Sequence, residues 1–353
     1  MKKYMIKYMP VKKQRISVKR GPKIVFFDAG DVEKEHIQQN MAGFNVQYYS
    51  EELTVDTAKN AKDCAIISIF MYSKIDRKIL NLLPNLKCIA TRSTGFDHID
   101  VKECTKKGIT LCNVPVYGEN TVAEHAFALI LSLSRKIHES YDRTVRGNFS
   151  LDGLQGFDLR GKTIGVLGTG HIGMHAVRIA RGFEMNVIAY DKFPNKKLEK
   201  RYGFKYKQFD YLLAHSDIIT IHVPYNKFTH HLINRKNINK IKKGAILINT
   251  ARGGIVETSA LSDALIKGKL GGAGLDVLEE EASIREEKEL LDSRFSNEKL
   301  KTMLRNHILM KLNNVIITPH NAFNSIEALR RIEDTTCDNI KGFIKGKIRD
   351  KVS

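Results

Sequence analysis

The stretch Lys162–Asp191, KTIGVLGTGHIGMHAVRIARGFEMNVIAYD, decides the fold. TIGVL reads as a buried strand, Gly168-Thr169-Gly170-His171-Ile172-Gly173 fits G-x-G-x-x-G, MHAVRIARGF has helical spacing, and a second strand ends in Asp191. In such a strand–turn–helix–strand unit the glycines allow a tight turn, let the backbone approach a pyrophosphate and let helix and strand pack closely. The N-terminus of the helix then faces the phosphates. Asp191 would accept hydrogen bonds from adenosine ribose hydroxyls and would repel a 2′-phosphate, so the expected cofactor is NAD rather than NADP, although Lys192, Lys196 and Lys197 nearby could compensate. A glycine-rich turn without a ligand is the competing reading, and the presence of strand, helix and acid together makes it the weaker one.

The same rhythm extends in both directions. Before the motif, KIVFF (23–27), NVQYY (45–49), CAIIS (64–68), LKCIA (86–90) and ITLCN (109–113) alternate with helical patterns. After it come DIITIHVP (217–224), AILINT (245–250), GGAGLDVL (271–278) and NVIITP (314–319). Apolar strands alternating with helices imply parallel sheets, and two such series imply two α/β domains, as the 353 residues also suggest. Between the series, GENTVAEHAFALILSLSRKI carries an expected capping box, Thr121 with Glu124, ahead of a helix apolar nearly all round. Such a helix must be buried on several sides, in the core or against another subunit. A closing helix is expected from about Asn324 to Ile348.

Composition bounds the reading. Apolar residues make up 42% and charged residues 27%, and no apolar run is long enough to span a bilayer, so a soluble protein is expected. The five cysteines (Cys64, Cys88, Cys104, Cys112, Cys337) stand at no metal-ligand spacing, which suits a reducing cytoplasm without disulfides and without a metal site. The formal charge of +19 suggests nucleic acid or an anionic membrane at first sight, but nine basic residues and no acidic one lie between Met1 and Lys23, so nearly half of the excess sits in a tail. That tail lacks the apolar region of a signal peptide and is read as an extension outside the fold. Neither nucleic acid nor membrane is expected as a partner.

Three further motifs end predicted strands on the side where open α/β sheets bind ligands: Asn249-Thr250-Ala251-Arg252-Gly253-Gly254, Leu278-Glu279-Glu280-Glu281, and Thr318-Pro319-His320-Asn321-Ala322-Phe323. A guanidinium among small residues can fork two hydrogen bonds to a carboxylate, though an arginine at a strand end also serves structural ion pairs. The imidazole of His320 suits proton transfer near neutral pH, yet it is one of twelve histidines. A carboxylate beside that imidazole would hold its orientation and favour its protonated form, and the glutamate run is the evident source. Spacing alone does not choose among Glu279, Glu280 and Glu281.

The ordered set VPVYGENTVAEHAFALILSLSRK, GTGHIG with Asp191, HVP (222–224), NTARGG, GLDVLEEE and TPHNAF closely resembles the D-isomer-specific 2-hydroxyacid dehydrogenases, especially their D-lactate dehydrogenase branch, over roughly residues 23 to 345. The resemblance implies that Arg252 clamps a substrate carboxylate, His320 is the acid/base, and Glu281 supports His320, leaving Glu279 and Glu280 as a solvated charge run. It assigns Thr94 and Gly95, in RSTGFDHID, to the carboxylate through their N–H groups, and Tyr117 and Phe323 to the lining of the substrate pocket. It carries cofactor contacts to Gly168, Gly170, His171, Ile172, Gly173, Asp191, Val223, Pro224, Thr229, Thr250, Ala251, Asp276 and Ala322, and leaves His125, His222 and His307 to structure. The implied fold has two doubly wound parallel-sheet domains. A flavodoxin-like substrate domain would span 23–118 and 321–353, a Rossmann NAD-binding domain 119–320, and the basic extension 1–22 would lie outside both. The helix after Thr121 then resembles the family's dimerisation helix, so a cytoplasmic homodimer is expected.

The activity implied is NADH-dependent, reversible reduction of pyruvate or a related 2-oxoacid to the D-2-hydroxyacid. The charged, helical-looking insertion between Glu281 and Pro319 resembles the lactate branch more than the glyoxylate or hydroxypyruvate reductases, which remain the alternative within the family. Phe70, Met71 and Tyr72, after a first-domain strand, could border a small apolar side-chain pocket. The rival from another class is an NAD-sensing corepressor that keeps Arg, Glu and His yet binds protein partners. The complete substrate motif set and the lack of a long flanking partner-binding region favour the enzyme.

Overall fold

A computed structural model describes residues 21–281 and 297–352; the basic stretch before Gly21 and part of the charged insertion lie outside the described residues. The chain forms two compact units, one running to Pro115 and resuming at Ile332, the other comprising Val116–Arg331. Division was expected after 118 and after 320, and both crossings differ by a few residues or more. The second crossing is late because the N–H groups of Asn321 and Ala322 bond to the Asp276 carboxylate and Ala328 packs on Gly118, which holds the segment after His320 to the second unit.

The first unit contains a five-stranded sheet, β1 (Ile24–Phe26), β2 (Val46–Tyr48), β3 (Ile66–Ile69), β4 (Cys88–Thr91) and β5 (Thr110–Cys112), in the order β2-β1-β3-β4-β5. Every pairing is parallel. Strands β1, β3 and β4 are buried on both faces, which is why they read as unbroken apolar runs rather than as alternation. Arg92, fully buried just past β4, donates to the carbonyls of Phe27 and Asp28 at 2.8 and 2.7 Å and to Ser68 Oγ, so it ties three strand ends together beneath the loop that carries Thr94 and Gly95.

The second unit holds seven parallel strands: β6 (Thr163–Leu167), β7 (Asn186–Tyr190), β8 (Lys205–Tyr206), β9 (Ile218–Ile221), β10 (Ala245–Asn249), β11 (Leu270–Leu275) and β12 (Val315–Ile317). Their order is β12-β11-β10-β9-β6-β7-β8. The sheet grows to one side of β6 through β7 and to the other through β9, so the crevice where strand order reverses opens beside Gly168, directly after β6. The edge strand β8 has no counterpart among the expected strands; two residues are too few to show a period.

Helix Glu119–Ser134 begins three residues earlier than a cap at Thr121 requires. Its N-cap is Gly118, Thr121 is buried in the first turns, and the expected capping box is absent. A Cβ at Gly118 would stand 3.2 Å from Thr121 Oγ1 and 3.3 Å from Ala328 Cβ, so a side chain there would require its neighbours to give by a few tenths of an ångström. The apolar faces of this helix are spent inside its own unit, where Ala123, Phe127, Leu129, Ile130 and Leu133 join Ile164, Ile246 and Ile248 in one core. Gly272 and Gly274 in β11 make room: a Cβ at Gly274 would come 2.9 Å from Leu129 Cβ. The closing helix spans Ile326–Ile344.

Candidate active site

The three glycines after β6 divide the work by space. A Cβ on Gly173 would lie 1.9 Å from the carbonyl oxygen of Gly168, and one on Gly168, whose φ is +93°, 2.6 Å from that of His222. Both positions therefore exist for close packing of helix His171–Gly182 against β6 and β9. A Cβ on Gly170, the N-cap of that helix, would meet nothing within 4 Å, so this is the face open to a ligand. One turn of N–H groups at His171, Ile172 and Gly173 starts the helix there. Asp191, one residue past β7, is oriented toward the same loop: Oδ2 accepts from Thr169 N at 2.7 Å and Thr169 Oγ1 at 2.9 Å, and Oδ1 from Phe193 N at 2.9 Å.

Across the crevice, Val223 and Pro224 follow β9, and Thr229 fixes their loop by donating to Pro224 O at 2.6 Å and accepting from Asn226 N at 2.8 Å. Thr250, at the end of β10, has a buried hydroxyl with no partner, and Ala251 N bonds to Asn249 Oδ1. An orphaned hydroxyl and an open, N–H-rich helix start, both at the carboxyl ends of strands in one sheet, fit a polar cofactor lying over the strand ends. His222 does not belong to the proton chemistry. Burial pushes its imidazole down to about 4, and its Nε2 lies 2.9 Å from Thr220 Oγ1.

Arg252 leaves β10 as the N-cap of a short 3-10 turn, Gly253–Ile255. The glycines of this motif let other chain segments pass: a Cβ on Gly253 would overlap the Leu278 carbonyl at about 2.0 Å, and one on Gly254 would touch the Tyr225 ring at 2.9 Å. The chain leading to the glutamate run is thereby brought against the arginine turn. Arg252 Nη1 donates to Ala251 O at 2.8 Å. Tyr117 faces the same charges, with burial pushing its phenol up against the opposing pull of Arg252. In the first unit, Thr94 Oγ1 donates to Val114 O at 2.7 Å and Asn113 Nδ2 to Thr94 O at 2.8 Å; among the described residues nothing accepts from the N–H of Thr94 or Gly95.

The glutamate run divides into three different environments. Glu281 Oε2 lies 3.3 Å from His320 Nδ1, with both side chains largely shielded. Glu280, at φ +53°, pairs with Lys299 at 3.1 Å. Glu279 corrects the expectation of a solvated charge: it is mostly buried, accepts from Thr258 N at 2.8 Å at the start of helix Thr258–Ile266, and lies 2.6 Å from His231 Nε2. The N-terminal N–H groups of that helix need an acceptor, and a neighbouring loop supplies one. Phe323 follows His320 in the second unit and is half-buried.

His320 sits just past β12 in the left-handed region, at φ +53°. Its N–H is shared between Asp276 O and Thr318 O, both at 2.9 Å. Asp276 Oδ1 accepts from Asn321 N at 2.8 Å and from Thr318 Oγ1, while Oδ2 accepts from Ala322 N at 2.9 Å. Burial would push the Asp276 carboxyl up; hydrogen bonds from His125, Thr318, Asn321 and Ala322 outweigh it and hold the group below the usual carboxylate range. His125, which the resemblance leaves to structure, has its Nε2 3.0 Å from Thr318 Oγ1 and 3.3 Å from Asp276 Oδ1. Its only sequence signal is a histidine in an otherwise apolar helix, in VAEHAFA.

Comparison with known proteins settles the family. The profile described as "D-isomer specific 2-hydroxyacid dehydrogenase, NAD binding domain" matches residues 127–322. A 2-hydroxyacid dehydrogenase homolog of Haemophilus influenzae is 36% identical, over 94% of this chain and 98% of its own. The D-lactate dehydrogenase of Escherichia coli is 34% identical, over 92% of this chain and 98% of its own. Among solved structures, D-lactate dehydrogenase from Aquifex aeolicus, complexed with NAD and lactic acid, superposes with a TM-score of 0.82 at 38% identity, covering 92% of this chain and 96% of that one. The chain belongs to the D-isomer-specific 2-hydroxyacid dehydrogenases, in the D-lactate dehydrogenase branch.

This 2-hydroxyacid dehydrogenase is an NAD-dependent oxidoreductase, and the glycine loop gives that statement a test. Gly173→Ala forces the helix away from Gly168 and is expected to destabilise the fold by about 2 kcal/mol or more, with weaker NADH binding as a secondary result. Gly170→Ala has room, so it should melt at the native temperature while its methyl group blocks the pyrophosphate approach and weakens NADH binding by about tenfold or more. Thermal melts and NADH fluorescence titrations of the two variants separate packing from ligand contact. Equal losses of stability in both would contradict the division.

The dehydrogenase's glutamates make a second contrast. In reduction, the protonated imidazole of His320 is the form that donates, and Glu281 Oε2, 3.3 Å from its Nδ1, holds the ring in orientation for that donation. Glu281→Gln is therefore expected to lower kcat for 2-oxoacid reduction by about tenfold or more while leaving NADH affinity near native. Glu279→Gln should leave kcat near native and lower stability by about 1 kcal/mol through its weakened contacts with Thr258 N and His231. Steady-state rates and melts for both variants check this, and a kcat loss in the Glu279 variant equal to that in the Glu281 variant would undo the assignment.

Proposed function

We propose that this dehydrogenase reduces pyruvate, or a 2-oxoacid of similar size, to the D-2-hydroxyacid, reversibly. The observation that carries the reading is the Glu281–His320 pair at 3.3 Å, on the same strand-end face of one sheet as Arg252 and the glycine loop. Arg252 holds the substrate carboxylate through its guanidinium fork. Imidazolium His320 gives its Nε2 proton to the carbonyl oxygen, while Glu281 at Nδ1 keeps the ring oriented and its charge balanced. Bound NADH supplies the hydride that carbon 2 receives. In the reverse direction His320 takes the hydroxyl proton. Tyr117 and Phe323 line the substrate side, and Asp276 Oδ2, which accepts one bond from Ala322 N, can serve a further donor such as the nicotinamide amide.

The branch to which the chain belongs supports pyruvate over glyoxylate or hydroxypyruvate. The deciding experiment follows NADH oxidation with a panel of 2-oxoacids and then determines product chirality. Fastest turnover of pyruvate with a D-product supports the reading; a preference for glyoxylate or hydroxypyruvate gives the alternative, and no turnover at all favours an NAD-sensing binding protein. A homodimer is supported by helix Ile137–Val145, where Ile137, Tyr141 and Val145 recur every fourth residue at 54%, 70% and 61% exposure, followed by Phe149 and Leu151 at 77% and 82%. The apolar surface offered to a second copy is thus on this helix and the segment after it, rather than on helix Glu119–Ser134. All five cysteines are free and buried, which is compatible with a reducing cytoplasm.

A further inference from the structure

A left-handed backbone at a residue other than glycine is strained, and it persists only where the surroundings over-determine it. His320 is such a residue, and its neighbours form one continuous set. Asp276 receives the His320 N–H on its main-chain carbonyl and the N–H groups of Asn321 and Ala322 on its carboxylate, so a single aspartate spans the turn on both sides of the imidazole. The carboxylate itself is held from outside the turn by only one side chain among the described residues: His125, from helix Glu119–Ser134.

The proton on His125 follows from counting donors. The carboxylate of Asp276 only accepts, so the single proton of Thr318 Oγ1 lies on the bond between them. Thr318 Oγ1 can then only accept from His125, which places a proton on His125 Nε2, shared between Thr318 Oγ1 and Asp276 Oδ1. The helix that presents His125 is packed into the core through Ala123, Ala126 and Leu129 around it, so the donor is rigidly mounted. The other titratable groups near this point are Tyr117, which lies within the field of Asp276 and Arg252, and the pair Glu281–His320 itself.

We propose that His125 is a positioning residue for His320, acting through Thr318 and Asp276 to clamp the left-handed turn that aims the catalytic imidazole. This rests on His320 being the acid/base of the reaction. Loss of the Nε2 donor lets the Asp276 carboxylate rotate and the turn relax toward negative φ, and a displacement of the imidazole by a fraction of an ångström is enough to reduce the proton-transfer rate.

The test compares His125→Ala, His125→Gln and Thr318→Val in the full-length enzyme. His125→Ala should lower kcat for pyruvate reduction by about tenfold or more, with KM and the NADH dissociation constant changed by less than about threefold. His125→Gln, whose amide can reach the same point with an N–H, should recover most of kcat. Thr318→Val should lower kcat as well, and the double variant should be no worse than the poorer single one, because both changes break the same chain of bonds. Alongside turnover, the NMR titration of the His320 ring in each enzyme without substrate should move in the alanine variant and return in the glutamine variant. Native kcat with an unmoved titration in His125→Ala, or equal loss in the alanine and glutamine variants with only a lower melting temperature, overturns the proposal. An unmodified enzyme inactive toward every 2-oxoacid would instead remove the assigned reaction, while the titration still reports whether His125 governs His320.

Discussion

His320→Ala is expected to lower 2-oxoacid reduction by about 10²- to 10⁴-fold, the usual range for removing a general acid, with NADH affinity within about threefold of native. The effect should be large because the imidazoles of His222, His125 and His231 are not placed to take over. His222 is pushed down to about 4 by burial and is unprotonated at neutral pH. His125 commits Nε2 to Thr318 and Asp276, and His231 commits Nε2 to Glu279. Cofactor binding should survive, because the glycine loop, Asp191 and the Val223–Pro224 loop do not depend on the imidazole ring. Single-turnover measurement of NADH absorbance, with fluorescence titration for binding, distinguishes the two effects. Retention of more than about a tenth of the rate would take the proton-transfer role away from His320.

The parts of this architecture that were legible in the sequence are those in which one physical constraint dominates a local stretch. Strands buried on both faces must be apolar throughout, so β1, β3, β4, β9 and β10 stand out as runs. Gly168 and Gly173 were legible because a Cβ at either would collide with backbone. The start of helix Glu119–Ser134 is hard to place from sequence because Thr121 and Glu124 satisfy a capping pattern locally, while the N-cap is Gly118, packed closely against the distant Ala328. The same limit applies to the glutamates. Glu279, Glu280 and Glu281 are chemically identical and adjacent, and what separates them is whether Thr258 with His231, Lys299 or His320 lies opposite. The contacts of His125 are illegible in the sequence for the same reason: its partners, Thr318 and Asp276, are far away in the chain.

Arg252→Ala should cost about as much as the loss of the acid, but in a different parameter. A guanidinium that forks two charge-assisted bonds to a carboxylate contributes to both substrate and transition-state binding, so kcat/KM for pyruvate is expected to fall by about 10³-fold, or about 4 kcal/mol. Much of the fall should be in KM, in contrast to the His320 variant. Arg252→Lys should regain only part, because an ammonium keeps the charge without the planar pair of donors. Stability should fall by no more than about 1 kcal/mol: the turn loses the bond from Nη1 to Ala251 O but keeps Asn249 Nδ2 donating to the Arg252 carbonyl at 2.9 Å and the glycine contacts. NADH affinity should also stay near native, since Asp191, Thr250 and the helix start at Gly170 are separate from the side chain. Steady-state kinetics with pyruvate, paired with NADH titration and a melt, reads all three quantities. Loss of NADH binding with an unchanged KM for pyruvate would assign Arg252 to the cofactor, and the carboxylate would need another clamp.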